Sequence, residues 1–242
     1  MANLFDSAAM AEGYARSRPA VHAWVLRQLP GRYRRALDLG CGSGISTAAL
    51  AGLAEHRVGL EPAESMLAGA PLVSPGADFL VGQAEALPFA DESFDLIAAA
   101  GSLNYCDLAP ALREINRVLT PHGRLAIYDF AQGKEFEDSP DLTTWNTAFK
   151  SRYPSPEGPG RFDPGGEPFS MILPYNAATY LDYALTETNV SAAIARGIPA
   201  DEIRAWCQFS LDPVFAGQTK SVIFRGYLAV KSRNAAWSPP AF

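Results

Sequence analysis

The stretch RALDLGCGSGIST, Arg35–Thr47, decides how the rest of the chain is read. A short apolar run (Ala36, Leu37, Leu39) carries Asp38. It then gives way to Gly40, Gly42 and Gly44, with Cys41 inside the turn, and Ala48–Ala54 reads as helix. That succession predicts a strand, a glycine turn and a helix N-terminus. Glycine suits such a turn because it accepts positive φ and lets a ligand approach the backbone. The helix start is expected to offer unpaired N–H groups and the positive end of a dipole, which favour an anionic group on the ligand.

The spacing narrows the reading. It is GxGxG, whereas the dinucleotide fingerprint is GxGxxG. Asp38 is a charge at the end of an otherwise apolar strand. The next strand, His56–Leu60, ends in Glu61, placed to take both hydroxyls of a ribose, and Pro62 halts it. A helix over Ala63–Ala70 follows, with Met66 about one turn in. DLGCGSG followed by GLEP resembles the class I S-adenosylmethionine (SAM)-dependent methyltransferases, whose first motif joins a strand-borne acid to GxGxG. The resemblance implies an α/β, Rossmann-like fold: a mostly parallel seven-stranded sheet with helices on both faces. It implies SAM as cofactor and S-adenosylhomocysteine as product. It also implies that Asp38, Gly40, Cys41, Gly42, Gly44, Glu61 and Pro62 bind the cofactor, with Met66 on the adenine face. Core packing alone accounts for Met66 equally well.

The 242 residues suit one α/β domain with an insertion. The expected division is an N-terminal helical arm (1–30), a SAM-binding core (31–130), a lid or substrate insertion (131–199), completion of the sheet (200–231) and a tail (232–242). A net charge of −6 argues against a nucleic-acid partner, and the basic run Arg32, Arg34, Arg35 reads as a solvated turn. No stretch has the apolar length of a membrane span. The N-terminus lacks the basic start and apolar middle of a signal peptide, so a cytoplasmic protein is expected. Association into a homo-oligomer is left open. Cys41, Cys106 and Cys207 show no CxxC spacing and His22, His56 and His122 are scattered, so neither a disulfide framework nor a metal site is expected.

In the arm, Val21, Trp24, Val25 and Leu29 suit one helix face. Tyr14 and Arg18 resemble an element that closes over the methionine end of the cofactor. The resemblance implies that Arg18 pairs with the carboxylate and Tyr14 covers the sulfonium; a packed arm with a surface Arg18 is the alternative. Asp78–Val81 reads as a third strand. Gln83-Ala84-Glu85 resembles the segment that reads the adenine edge, Ala84 by its backbone and Gln83 or Glu85 by a side chain. Leu96–Ala100 has the continuous apolar character of a buried parallel strand, and Asp95 before it reads as a turn or cap residue. Ligands in open α/β sheets bind outside the carboxyl ends of strands, which makes Ala100, Gly101, Ser102, Asn104 and Tyr105 site territory. Of these, Ala100, Gly101, Ser102 and Tyr105 are assigned to the cofactor. Several subfamilies carry a His-aromatic pair where Asn104-Tyr105 stands, and Asn104 has no useful basicity. Ala109–Leu119 is an amphipathic helix and Arg124–Tyr128 a strand. His122 reads as an exposed turn residue. Asp129, after the strand, is either a substrate-orienting group or a turn cap.

From Ala131 to about Pro199 the composition changes. Tyr153–Phe169 is too rich in Pro and Gly for regular structure, with helices expected over Asp141–Lys150 and Asn176–Leu185. A long insertion of this kind reads as a functional lid or a disordered loop. Its rings (Trp145, Phe149, Tyr153, Phe162, Phe169, Tyr175, Tyr180, Tyr183) favour a lid over an apolar or aromatic acceptor, with ordinary packing onto the sheet accounting for about half of them. Asp201–Cys207 reads as helix and Thr219–Val230 as strand.

The resemblance, closest to the quinone-biosynthesis and natural-product enzymes, implies methyl transfer to an O, N or C atom of a small molecule. Alignment lowers such a barrier by roughly 7–11 kcal/mol against roughly 3–5 for acid–base help, so positioning is expected to dominate. Acceptor-pocket candidates are Tyr14, Asn104, Tyr105, Asp129 and Tyr175. Two other readings stand beside this one. A SAM-binding protein that transfers nothing is left open by Asn104 and Gln83; against a nicotinamide-dependent oxidoreductase speaks the missing third glycine.

Overall fold

The computed structural model describes residues 21–130, 133–155 and 162–233, so Tyr14 and Arg18 lie outside the described residues. The chain divides into two compact units.

The first unit comprises 21–129, 162–169 and 226–233. Helix α1 (Val21–Leu26) buries Val21, Val25 and Leu26. Trp24, expected on the same buried face, is 38% exposed and leans on Phe169 at 5.2 Å between ring centroids. Strands β1 (Tyr33–Leu39), β2 (Ala54–Glu61), β3 (Asp78–Val81), β4 (Phe94–Ala100) and β5 (Leu119–Phe130) are neighbours in the order β3-β2-β1-β4-β5, all parallel. Strand β8 (Lys220–Ser232) follows β5. The order reverses between β1 and β4, which are direct neighbours, and that crevice is where ligands of open α/β sheets bind. Central strands buried on both faces must be apolar throughout, as in Phe94–Ala100, where only the two acidic or terminal positions Asp95 and Ala100 are part-exposed. Asp95 accepts the backbone N–H groups of Arg34 (2.7 Å) and Arg35 (3.3 Å), pinning the start of β1.

The connections between strands are shorter helices than the sequence suggests. Helix α2 spans only Ile45–Ala49 and continues as a 3-10 turn, Leu50–Gly52, while Ala54 already belongs to β2. In place of one helix over Ala63–Ala70 there are two single turns, α3 (Glu64–Leu67) and α4 (Ala70–Val73), separated at Gly69. Helix α5 (Leu108–Val118) is capped by Asp107, whose side chain accepts from Ala109 N, and buries Ala111, Leu112, Ile115 and Val118. These pack with Leu37, Leu39, Ile97 and Leu125 in one core.

The second unit comprises 130, 133–155 and 170–225. It contains β6 (Glu135–Phe136), α6 (Asp141–Arg152), most of β7 (Glu167–Tyr175), α7 (Ala177–Ala184), α8 (Thr188–Ala195) and α9 (Ala200–Phe215). Strand β6 pairs antiparallel with β8, and β7 also pairs with β8. Three features depart from expectation. Glu167–Phe169 is strand rather than irregular chain, helix α8 has no counterpart in the reading, and α9 runs eight residues beyond Cys207, through Pro213. Six of the eight rings expected to form a cover instead build this unit's own core. Trp145, Phe149, Tyr153, Tyr175, Tyr180 and Tyr183 are buried there with Phe215 and Phe224. Tyr180 is held by Asn146 Nδ2 (3.0 Å) and donates to Gly133 O at 2.6 Å.

Candidate active site

The Gly40–Gly44 turn leaves β1 with three glycines at positive φ (73°, 52° and 86° for Gly40, Gly42 and Gly44). At Gly40 the requirement is also steric: a Cβ there would collide with Ser102 Cβ. Ser102, just past β4, donates its hydroxyl to Leu39 O, so the ends of β1 and β4 are tied across the point where strand order reverses.

Three of the loop amides are used by the fold. Gly40 and Cys41 both donate to Leu60 O (2.8 and 3.1 Å), and Gly44 donates to Cys41 O (2.9 Å). The reason is proximity: Leu60, near the end of β2, is the register partner of Leu39, the last residue of β1. Helix α2, at whose start unpaired N–H groups are expected, is a five-residue turn that continues as the 3-10 turn Leu50–Gly52. The glycine turn lies close to Glu61. Gly42 N donates to Glu61 Oε2 at 3.1 Å and Ala63 N to Oε1 at 3.0 Å. Burial raises the Glu61 pKa, and these two N–H bonds oppose the shift.

Asp38 is fully buried between Gly59 and Ala98 on the neighbouring strands. Its Oδ2 accepts the hydroxyls of Ser46 and Thr47, each at 2.6 Å. Burial lifts the carboxyl to about 6, against the pull of those two bonds, and Glu61 adds in the same upward direction. Its Oδ1 and the buried Ser43 hydroxyl have no hydrogen-bond partner among the described residues. The Cys41 thiol is buried and its pKa raised by that burial. It packs where Gly59 has no side chain, since a Cβ on Gly59 would lie 2.7 Å from Cys41 Sγ.

Met66 is buried, with its methyl 3.4 Å from where a Gly42 Cβ would stand, and Pro62 is exposed. Past β3, Ala84 is buried and Gln83 exposed, while Glu85 accepts the Asp107 N–H at 2.8 Å, at the head of α5. At the end of β4 lie Ala100 and Gly101; Gly101 (φ 66°) faces Asp129, whose Oδ1 would be 3.1 Å from a Cβ. Asn104 joins this corner: Nδ2 lies 3.4 Å from Asp129 Oδ2 and Oδ1 accepts Phe162 N–H at 2.8 Å. Tyr105 is 60% exposed. The first unit thus brings together Asp38, the glycine turn, Glu61, Met66 and Ser102, and separately Gly101, Asn104 and Asp129. Tyr175 belongs to the other unit, packed among Tyr180, Tyr183 and Phe224, a core position rather than an acceptor-pocket one.

Ser43, Ser46 and Thr47 escape a reading by motif. The signal was present, because a buried strand-end acid requires donors nearby, and the hydroxyls eight and nine residues on supply them.

Comparison with known proteins supports the same segment. A family described as a methyltransferase domain matches residues 37–127. Malonyl-[acyl-carrier protein] O-methyltransferase of Methylococcus capsulatus is 41% identical over 113 residues, covering 44% of this chain and 41% of that protein. Demethylmenaquinone methyltransferase of Renibacterium salmoninarum is 36% identical over 104 residues, 43% of each. The chain spans from 26% to 48% of the length of the curated relatives it matches. The solved structure of a candidate type II methyltransferase from Anaeromyxobacter dehalogenans has a TM-score of 0.69 at 22% identity, over 90% of this chain and 97% of that one, a likeness of fold. Asp38 of β1, the glycine turn and the strand-end Glu61 all fall inside the segment, residues 37–127, that matches the methyltransferase domain.

Proposed function

We propose that this chain transfers the methyl group of SAM to an O, N or C atom of a small-molecule acceptor. The observation that carries this reading is the meeting of the glycine turn with the strand-end acid through the Gly42–Glu61 hydrogen bond. A carboxylate has about four acceptor directions. Each Glu61 oxygen uses one on a backbone N–H, which leaves acceptor capacity suited to the paired hydroxyls of a ribose. Met66 beside Gly42 supplies an apolar face for the adenine, and Ala84 with Gln83 suits its edge. Asp38 Oδ1 and the Ser43 hydroxyl, buried without hydrogen-bond partners among the described residues, favour a polar ligand group at the turn. Asp38 lends negative potential there, which favours the cationic amine and sulfonium. Glu85, occupied by Asp107, is the weaker candidate for the adenine edge.

SAM supplies a methyl already activated by its sulfonium. The protein's task is to hold, align and exclude water, and alignment is the larger contribution. The exposed Tyr105 ring beside Asn104 favours an acceptor with an apolar or aromatic body, and the relatives named for menaquinone and acyl-carrier substrates favour a small acceptor group.

The test is incubation with SAM and a panel of phenols, amines and carboxylic acids, read by mass spectrometry. A product carrying one added methyl, with S-adenosylhomocysteine in equal amount, is expected. SAM binding without transfer to any class would favour a non-transferring SAM protein. Binding of NADH instead of SAM would overturn both.

A further inference from the structure

We propose that Asn104 is a positioning residue for the acceptor side of the site, a role that rests on the methyl-transfer reading above. Its carboxamide works in both directions. Oδ1 accepts the Phe162 backbone N–H at 2.8 Å, while Nδ2 faces the Gly101 carbonyl at 3.5 Å and Asp129 Oδ2 at 3.4 Å. The short bond fixes which way round the amide sits, because an N–H must meet an acceptor. Gly101 follows β4 and Asp129 lies at the end of β5, so one side chain joins the ends of two neighbouring strands to a third segment.

That third segment is anchored at two other points. The Phe162 ring is buried in the core with Leu103, and Gly166 sits so close to β8 that a Cβ would lie 2.9 Å from the Leu228 carbonyl carbon. Beside those anchors, Asn104 is a polar group that ties the Phe162 backbone to Asp129. Because ligands approach the carboxyl ends of strands, the spacing of Gly101, Asp129 and Phe162 is the wall an acceptor meets. A carboxamide is suited to this work. Neutral histidine offers one donor and one acceptor, aspartate no donor, and leucine neither.

The test is hydrogen exchange at the Phe162 amide in the full chain, each variant compared with wild type at the same pH. In Asn104→Leu, Phe162 is expected to exchange about tenfold faster at every pH, the factor that losing one ordinary hydrogen bond allows. Asn104→Asp, nearly isosteric, keeps an acceptor for Phe162 but sets a second carboxyl against Asp129. Wild-type protection is expected near pH ~4, where the pair shares a proton, and its loss near pH ~7. A merely space-filling Asn104 gives no such split. With any acceptor the wild type methylates, Asn104→Leu should raise the acceptor KM while the SAM Kd stays within about twofold. Unchanged Phe162 exchange in Asn104→Leu, pH-independent exchange in Asn104→Asp, or an unaltered acceptor KM overturns the proposal. Failure of wild type to bind SAM would overturn the methyl-transfer reading and leave the exchange result standing.

Discussion

Gly42 donates its backbone N–H to Glu61 Oε2 across 3.1 Å, joining the turn after β1 to the residue that ends β2. One carboxylate therefore shapes the turn and, in the proposed function, also takes the ribose hydroxyls. Glu61→Gln keeps the volume but exchanges one acceptor oxygen for a donor. A hydrogen bond to a charged group contributes roughly 1.5–3 kcal/mol, so the SAM Kd should rise about tenfold to hundredfold. Isothermal titration reads it, and an unchanged Kd would remove Glu61 from the ligand.

Gly40 and Gly31 separate strain from crowding. Both have positive φ, 73° and 86°, but a Cβ on Gly40 would meet Ser102, while among the described residues none beyond its chain neighbours lies within 4 Å of a Cβ on Gly31. Gly31→Ala should cost about 1–2 kcal/mol from backbone strain. Gly40→Ala should cost about 2–5 kcal/mol, because overpacking adds to that strain. Urea denaturation of both variants checks the order.

Asp38 makes stability fall as pH rises from about 4 to about 6. Its folded pKa is raised from 3.8 to about 6 by burial, so the folded state holds the proton that the unfolded state releases. The stabilisation is complete below the unfolded value and gone above the folded one, and the shift corresponds to roughly 3 kcal/mol. Glu61, also raised, contributes with the same sign. Asp38→Asn should flatten most of this slope. Denaturation midpoints at several pH values, wild type against variant, measure it; parallel curves would contradict the assignment.

How much of this was legible in sequence depends on the range of the forces involved. Strand Asp78–Val81 appears as read, and α5 within one residue at each end, because alternation and the 3.6-residue period are local. The split of Ala63–Ala70 and the shortness of α2 were hidden, since a turn of helix can be set by packing rather than propensity. Strand β7 was obscured by Pro168 and Pro174, and the length of α9 by Pro213 near its end. In the site, Asp38 and Glu61 were visible because an acid at the end of an apolar strand is locally conspicuous. The Ser46 and Thr47 clamp, the Gly40–Ser102 contact and the Asn104–Phe162 bond join residues that only the fold brings together.

Arg117 fastens the segment after Ala84. It donates to Leu87 O (3.0 Å), Phe89 O (2.7 Å), Asp91 (2.9 Å) and Glu114 (2.7 and 2.8 Å), while Glu114 also takes the Leu87 N–H. Arg117→Ala should cost about 1–3 kcal/mol, and Arg117→Lys nearly as much, because an ammonium cannot reproduce the guanidinium fork. Thermal unfolding of the two variants decides this. Full rescue by lysine would show that charge alone matters.

The most direct measurement is a crystal structure of the chain with SAM bound. The nucleoside is expected in the crevice between β1 and β4, with both ribose hydroxyls on Glu61 and its chain against Gly40–Gly44. SAM bound elsewhere, or Glu61 turned away from the sugar, would contradict the account.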